Sequence, residues 1–268
     1  MKGFFSSDFW GFGGYKRTAE GYFSWQHLTF VTILMAIMVG LAVVLGRRNR
    51  NRSMSVKNRP LIWAAIIMDG TEIAKVALKC TIGNDPQCWM YALPLFLCSI
   101  HLITMPIAAF SKGRLKEASL DFLFLFGLIG AVLGTYAAGN NYSCYPVLSL
   151  DNVASGITHS SIGFAALYIV IAQMVSMKKE NLWITVVILL AFCLAAHIAN
   201  GFIGCNYMFM MRGDGTPYDI LYNLVGGHPV VYPIMVVVLF LIYIAGFYAV
   251  YFWMHRHRNA VAQENIGA

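Results

Sequence analysis

Apolar positions along the chain gather into long runs. Seven windows, roughly 23–46, 60–80, 88–110, 119–138, 155–177, 181–204 and 228–254, reach the length of a bilayer crossing, which needs about 20 mostly apolar residues. Inside hydrocarbon every backbone N–H and C=O must be satisfied by the protein itself, and a helix does this within one segment. The pattern predicts an all-α integral membrane protein, a bundle of seven transmembrane helices forming one polytopic domain over residues 1–268. The connection from about 205 to 227 is the longest and is expected to hold short helical or re-entrant structure. Trp89, Tyr91, Trp183 and Trp253 fall near expected helix ends, where interfacial aromatics belong.

Composition agrees with a lipid solvent. The 268 residues are 59% hydrophobic and only 12% charged, whereas a soluble domain carries about 25% charged residues. The formal net charge of +7 sits in short segments between apolar runs, a pattern of membrane orientation that argues against a nucleic-acid partner. Arg47, Arg48, Arg50, Arg52, Lys57 and Arg59 share one side with Lys112, Arg114, Lys116, Lys178, Lys179, Arg256 and Arg258. Lys2, Lys16, Arg17 and Arg212 fall on the other. The positive-inside rule then places the N-terminus outside and the C-terminus in the cytoplasm of a multi-pass cell-membrane protein. The aromatic, Gly-rich start, with Asp8 and Glu20 among its charges, does not read as a cleavable signal, so the first apolar run is expected to be retained.

Of the six cysteines, Cys98 and Cys193 fall inside spans, while Cys80, Cys88, Cys144 and Cys205 fall at or beyond outer ends. An oxidising exterior permits disulfides there. Cys80 with Cys88 and Cys144 with Cys205 are two of the pairings open to them, alongside free thiols, because sequence does not fix connectivity.

Polar groups inside a span are expensive and are functional candidates by default. The second run carries Asp69, Glu72, Lys75 and Lys79, which at 100° per residue share a stripe of roughly 120°. That stripe reads either as a self-neutralising set, Glu72 with Lys75, locking helices together, or as a cavity wall that meets a lipid headgroup or an ion. In the third run Cys98 and His101 are three apart, on one helical face, between Pro94 and Pro106. A thiol becomes a nucleophile as its thiolate, which a nearby imidazole promotes; the bland reading is a small apolar filler. His27, His159, His197 and His228 gather toward the outer half. Each alone suits an interhelical hydrogen bond. Together with Cys98, Glu72 and Asn206 they suggest a polar cavity opening outward. No pair has a recognised metal-ligand spacing, so no metal site is read.

Three stretches resemble the YwaF family of bacterial integral membrane proteins, relatives of the eukaryotic transmembrane protein 164 acyltransferases. LPLFLCSI at 93–100 is similar to that family's Leu-Pro-Leu-His-Leu-Cys segment, and GITHSSIGF around His159 to its helix-start histidine. NGFIGCNYMFM, beginning at Asn200, is similar to its Gly-Thr-Asn-Tyr-Met-Phe element, and His27 in FSWQHL fits a first-helix pattern. The resemblance implies an active-site Cys98, a partner His159, and acyl transfer between phospholipids through a thioester. Two positions depart from the pattern. Phe96 stands where the family has histidine, removing a base or hydrogen bond that His101 is the candidate to replace. Cys205 stands where it has threonine.

The leading expectation is therefore a cysteine-dependent acyltransferase that acts on membrane phospholipids and needs no cofactor. Cys98 attacks an acyl ester with His159, His197 or His101 as base. Asn206 and Tyr207 are candidate donors to the oxyanion, and His27, Asp69 and Glu72 candidate substrate contacts. The alternative is a non-enzymatic transporter or substrate-binding subunit, for which Cys98 is dispensable. A straight-helix count puts Cys98 roughly 15 Å deep, His159 about 5–9 Å and His197 about 10–12 Å. Depth thus favours His197 as base, and the family position favours His159.

Overall fold

The computed structural model of the protein describes residues 19–82, 86–175 and 177–267. Lys2, Asp8, Lys16 and Arg17, and the side chains of Arg256 and Arg258, lie outside the described residues. Those described are helical or irregular, with no strand. Five helical segments are long and apolar enough to cross a membrane: Trp25–Asn49, Gly113–Cys144, Leu150–Ile171, Lys179–Ile203 and Val231–Met254. The chain separates into two compact units, residues 1–181 and 182–268.

The first unit contains α1 (Trp25–Asn49), α2 (Met54–Ile82), α3 (His101–Phe110), α4 (Gly113–Tyr136), α5 (Gly139–Cys144) and α6 (Leu150–Ile171). Its core joins Ala42 of α1, Met68 of α2, Met105 of α3, Leu123 of α4 and Ile169 of α6. Small residues let α4 and α6 approach closely. A Cβ on Gly127 would stand 2.9 Å from that of Ala166, and one on Gly163 would stand 2.7 Å from that of Ala131. Small-residue seams of this kind bring helix backbones together where lipid offers no hydrophobic drive for association.

Polar clamps fix the ends of the same bundle. The buried Tyr168 hydroxyl donates to Lys57 O at 2.6 Å and accepts from Asn49 Nδ2 at 3.1 Å, joining α6, α2 and α1. Lys79 pairs with Asp151 at 2.6 Å, holding the far end of α2 to the first turn of α6. Glu117 of α4 accepts from Lys178 at 2.7 Å and from Asn181 at 3.0 Å.

The third apolar run is not the continuous helix expected over 88–110. It forms a 3-10 turn, Cys88–Ala92, then extended backbone at Leu93 (φ −62°, ψ 146°), then turns to residue 100, and only His101–Phe110 is α-helical. Pro94 is the cause, since proline disfavours helical backbone at the residue before it and has no N–H to donate. Two local devices close the break. The Leu95 N–H bonds to Leu93 O at 2.8 Å, and the Ser99 hydroxyl accepts from Phe96 N at 2.9 Å while lying 3.1 Å from Phe96 O. The second apolar run also starts earlier than expected, because α2 runs through Pro60 from Met54.

The second unit holds α7 (Leu182–Ile203), α8 (Asp219–Leu224) and α9 (Val231–Gly267). The long connection contains a 3-10 turn at Tyr207–Phe209 and the short α8, as its length suggested. Met208 and Phe209 both sit at φ +55°, a left-handed conformation that costs a side-chain-bearing residue energy and has to be held by its surroundings. The hold is visible. Asn200 and Tyr207 exchange two hydrogen bonds, and the Tyr232 hydroxyl donates to Phe209 O at 2.6 Å.

Cys80 and Cys88 form a disulfide, whereas Cys98, Cys144, Cys193 and Cys205 are free, so the Cys144–Cys205 pairing is not formed. Non-reducing peptide mapping of the native protein should recover the 80–88 linkage, with Cys144 and Cys205 alkylated without prior reduction. A linked 144–205 peptide pair would contradict this pairing.

Candidate active site

The geometry around Cys98 begins with His159, on the third turn of α6. Its Nδ1 lies 2.8 Å from the carbonyl oxygen of Ser155, one helical turn back, and 3.2 Å from the Ser155 hydroxyl. A carbonyl can only accept, so Nδ1 carries the proton and the neutral ring keeps its lone pair on Nε2. The Cys98 thiol lies close enough to this imidazole to interact with it electrostatically. With Nδ1 committed to Ser155, Nε2 is the nitrogen left for the thiol. The backbone N–H groups of Cys98 and Ser99 also favour the anionic form of the Cys98 sulfur. The cysteine is partly exposed.

One face of α4 makes this meeting sterically possible. A Cβ on Gly134 would overlap the Nε2–Cδ2 edge of His159, so the ring lies directly against helix backbone. One turn earlier, a Cβ on Gly130 would stand 3.7 Å from that of Cys98, an ordinary contact. Gly130 and Gly134 therefore floor the pair. Neither was singled out from the sequence, although their i, i+4 spacing in GAVLG is a readable signal of close approach along one helix face.

Two groups act on His159 beside the thiol. His101, the first residue of α3, is fully buried, with Nδ1 3.1 Å from the Thr104 hydroxyl and its ring edge-on to Phe122. Its Nε2 is buried without a hydrogen-bond partner, and it lies within electrostatic range of His159. Lys75 of α2 acts on His159 electrostatically as well, and is itself ion-paired with Glu72. Asp69, two turns before Lys75 on the same helix, keeps Oδ1 buried without a partner. Among the described residues, no three His, Cys, Asp or Glu side chains converge as a metal ion would require.

The remaining sequence candidates have local surroundings of their own. His27, fully buried at the start of α1, has both ring nitrogens occupied: Nε2 donates to Thr135 O at 3.0 Å and Nδ1 accepts from Phe23 N at 3.2 Å. It also stacks on Tyr142, with ring centroids 3.8 Å apart. His197 belongs to the second unit and is exposed on α7. In that unit Asn206 gives both amide hydrogens to its own loop, to Arg212 O at 2.7 Å and Asp214 Oδ2 at 2.8 Å, and accepts from Met211 N. Tyr207 is buried, and its backbone is bonded to Asn200.

The two glycines make opposite predictions. Gly134→Ala should displace the imidazole and slow alkylation of Cys98 by iodoacetamide at neutral pH by at least about tenfold, the low side of what a positioned base contributes. Gly130→Ala should leave the alkylation rate within about twofold, because the added methyl meets only ordinary contact distances. Equal effects from both would show that the floor does not control the pair.

The family model of the TMEM164 family matches residues 22–262, a stretch that takes in Cys98, His159 and every other candidate residue. No curated protein and no solved structure matches the chain. The sequence resemblance and the family match agree: the chain belongs to the TMEM164 family.

Proposed function

We propose that this protein is a cysteine-dependent acyltransferase of the cell membrane that moves acyl chains between phospholipids. The observation that carries the proposal is the closeness of Cys98 to an imidazole whose other nitrogen is anchored on the Ser155 carbonyl. A nucleophile, a base and a group that orients the base are the parts an activated thiol needs.

The steps follow from that arrangement. Cys98 Sγ attacks the carbonyl carbon of a phospholipid ester while His159 Nε2 takes the thiol proton. The tetrahedral intermediate collapses by breaking the ester C–O bond, and His159 returns the proton to the departing lysophospholipid oxygen. A hydroxyl of a second lipid then attacks the Cys98 thioester and gives its proton to His159. The C–S bond breaks, and the proton passes back to the sulfur. The Cys98 and Ser99 N–H groups, which act on the Cys98 sulfur, stabilise the thiolate before attack. His101 holds the exit of the Cys98 turn. Asn206 and Tyr207 shape the loop of the second unit, and His27 is a positioning residue. No metal or cofactor enters any step.

We read seven crossings in total. Beside the five helices long and apolar enough to span, the two further crossings are α2, whose charges interrupt an otherwise apolar run, and the broken segment 88–110. The N-terminus then lies outside. The Cys80–Cys88 disulfide supports this orientation, since it stands at the opposite end of α2 from the Arg-rich 47–59 segment and disulfides persist on the oxidising side. One observation favours the transporter alternative, the unpartnered buried Oδ1 of Asp69 on a charged stripe.

Cys98 separates the two readings. Cys98→Ala should abolish acyl exchange between labelled phospholipids in reconstituted vesicles and remove labelling by a thiol-directed probe, and His159→Gln should lower exchange by about 10²–10⁴-fold. Full exchange by Cys98→Ala would sink the enzyme reading. For topology, reporters fused in the 47–59 segment and after residue 255 should read as cytoplasmic, and an external reading for either would reverse the orientation.

A further inference from the structure

Away from the Cys98–His159 pair, an open cavity of about 320 Å³ lies where the first turns of α2, the end of α3 and the start of α4 meet. Its wall has two chemistries. Met54, Ile62 and Phe110 form an apolar side, with Phe110 65% exposed. Lys112, Lys116 and Asn58 form a polar side, and no carboxylate lines the cavity among the described residues.

The polar side is built to receive an anion. Lys116 Nζ donates to Asn58 Oδ1 at 2.7 Å and to Ala108 O at 2.6 Å, and Asn58 Nδ2 donates to Ala109 O. These bonds cover the last carbonyls of α3, so that helix end does not present bare negative dipole to the cavity. They also hold the Lys116 ammonium in place with one of its three N–H groups uncommitted. Lys112 precedes α4, makes no side-chain cap, and has no hydrogen bond or ion pair among the described residues. The first N–H groups of α4 stand behind it without a helical acceptor. The Ser111 hydroxyl oxygen on the same wall is buried without a partner.

We infer that this cavity binds the phosphate of an anionic lipid headgroup, with Lys112 and Lys116 on the phosphate and Phe110 and Met54 against the glycerol and acyl stem. The apolar wall is what distinguishes a lipid from free phosphate, which has nothing to place there. Basic pockets between membrane helices take anionic headgroups on this principle, at roughly fivefold in affinity for each lysine engaged.

The experiment is a native mass-spectrometric titration of the full-length protein in detergent with short-chain phosphatidylglycerol, short-chain phosphatidylcholine and inorganic phosphate. Phosphatidylglycerol should bind the wild type more tightly than phosphatidylcholine. Lys112→Gln should weaken it roughly fivefold and Lys112→Gln with Lys116→Gln roughly 25-fold, while Arg48→Gln, outside the cavity, should leave it unchanged. Inorganic phosphate should not displace the lipid at equal concentration. Unchanged binding in Lys112→Gln, an equal loss in Arg48→Gln, or displacement by phosphate alone would each overturn the assignment. Because Lys116 also caps α3, a double variant that fails to fold leaves the decision to Lys112→Gln and Lys112→Glu, since Lys112 has no hydrogen bond or ion pair to lose among the described residues. Lys112→Glu should then reduce binding further than Lys112→Gln; an equal or smaller loss counts against the site.

Discussion

How closely α4 and α6 approach governs most of what the first unit can do. Along one seam Gly127 meets Ala166, Ala131 meets Gly163, and Gly134 meets His159. The first two contacts are backbone-level packing between small residues, the means by which helices associate when the surrounding solvent is itself apolar. At the third, the missing side chain makes room for an imidazole rather than a methyl. The same seam thus holds two helices together and sets where a base can stand. Glycine inside a helix costs about 1 kcal/mol relative to alanine in water, and the ring packed against Gly134 is what that cost secures.

The break at Pro94 complements the seam. Irregular backbone at membrane depth is tolerated only where protein covers it and its polar groups find partners, and here Ser99 and the Leu93–Leu95 turn supply several of them. In an unbroken helix the Cys98 N–H would bond back to the carbonyl of Pro94 and the Ser99 N–H to that of Leu95. Interruption frees both of those bonds, and both groups act on the Cys98 sulfur. Ending the helix early therefore leaves donors available beside Cys98, and α3 begins just after it at His101.

Apolar run length was enough to read the five helices that stand as candidate spans, with edges displaced by a few residues. The third run defeated that reading because length and apolarity do not report backbone continuity, and a single proline outweighed ten residues of hydrophobicity. The same break undoes the depth count that favoured His197. Counting from Cys88 assumed a rise of about 1.5 Å per residue, whereas the chain there is partly 3-10, partly extended and partly folded back in turns. His159, pointed to by the family resemblance, lies within electrostatic range of Cys98 in the first unit. Ser155 and Asp151 were not legible as its orienting group and as the partner of Lys79, since each depends on how two segments cross. The eight-residue separation of Cys80 and Cys88 made their pairing one of the readable options, while Cys144 and Cys205 carried no local signal to decide between bridge and free thiols.

The charged stripe of α2 is the remaining link between bundle and pair. Four ionisable residues on one apolar helix are costly in a membrane unless each is turned toward protein and compensated. Lys79 is compensated by Asp151 across to α6, and Lys75 by Glu72 on its own helix. Lys75 is also the cation that acts on His159. A bare ammonium there would oppose any positive charge on the imidazole. Glu72 makes the neighbour of His159 a paired dipole instead, so the field at the base depends on a carboxylate that need not touch it. The stripe thus fits the locking reading weighed from the sequence: Glu72 neutralises Lys75, and Lys79 ties α2 to α6. One turn from Lys79, Lys75 also contributes to the electrostatic surroundings of His159.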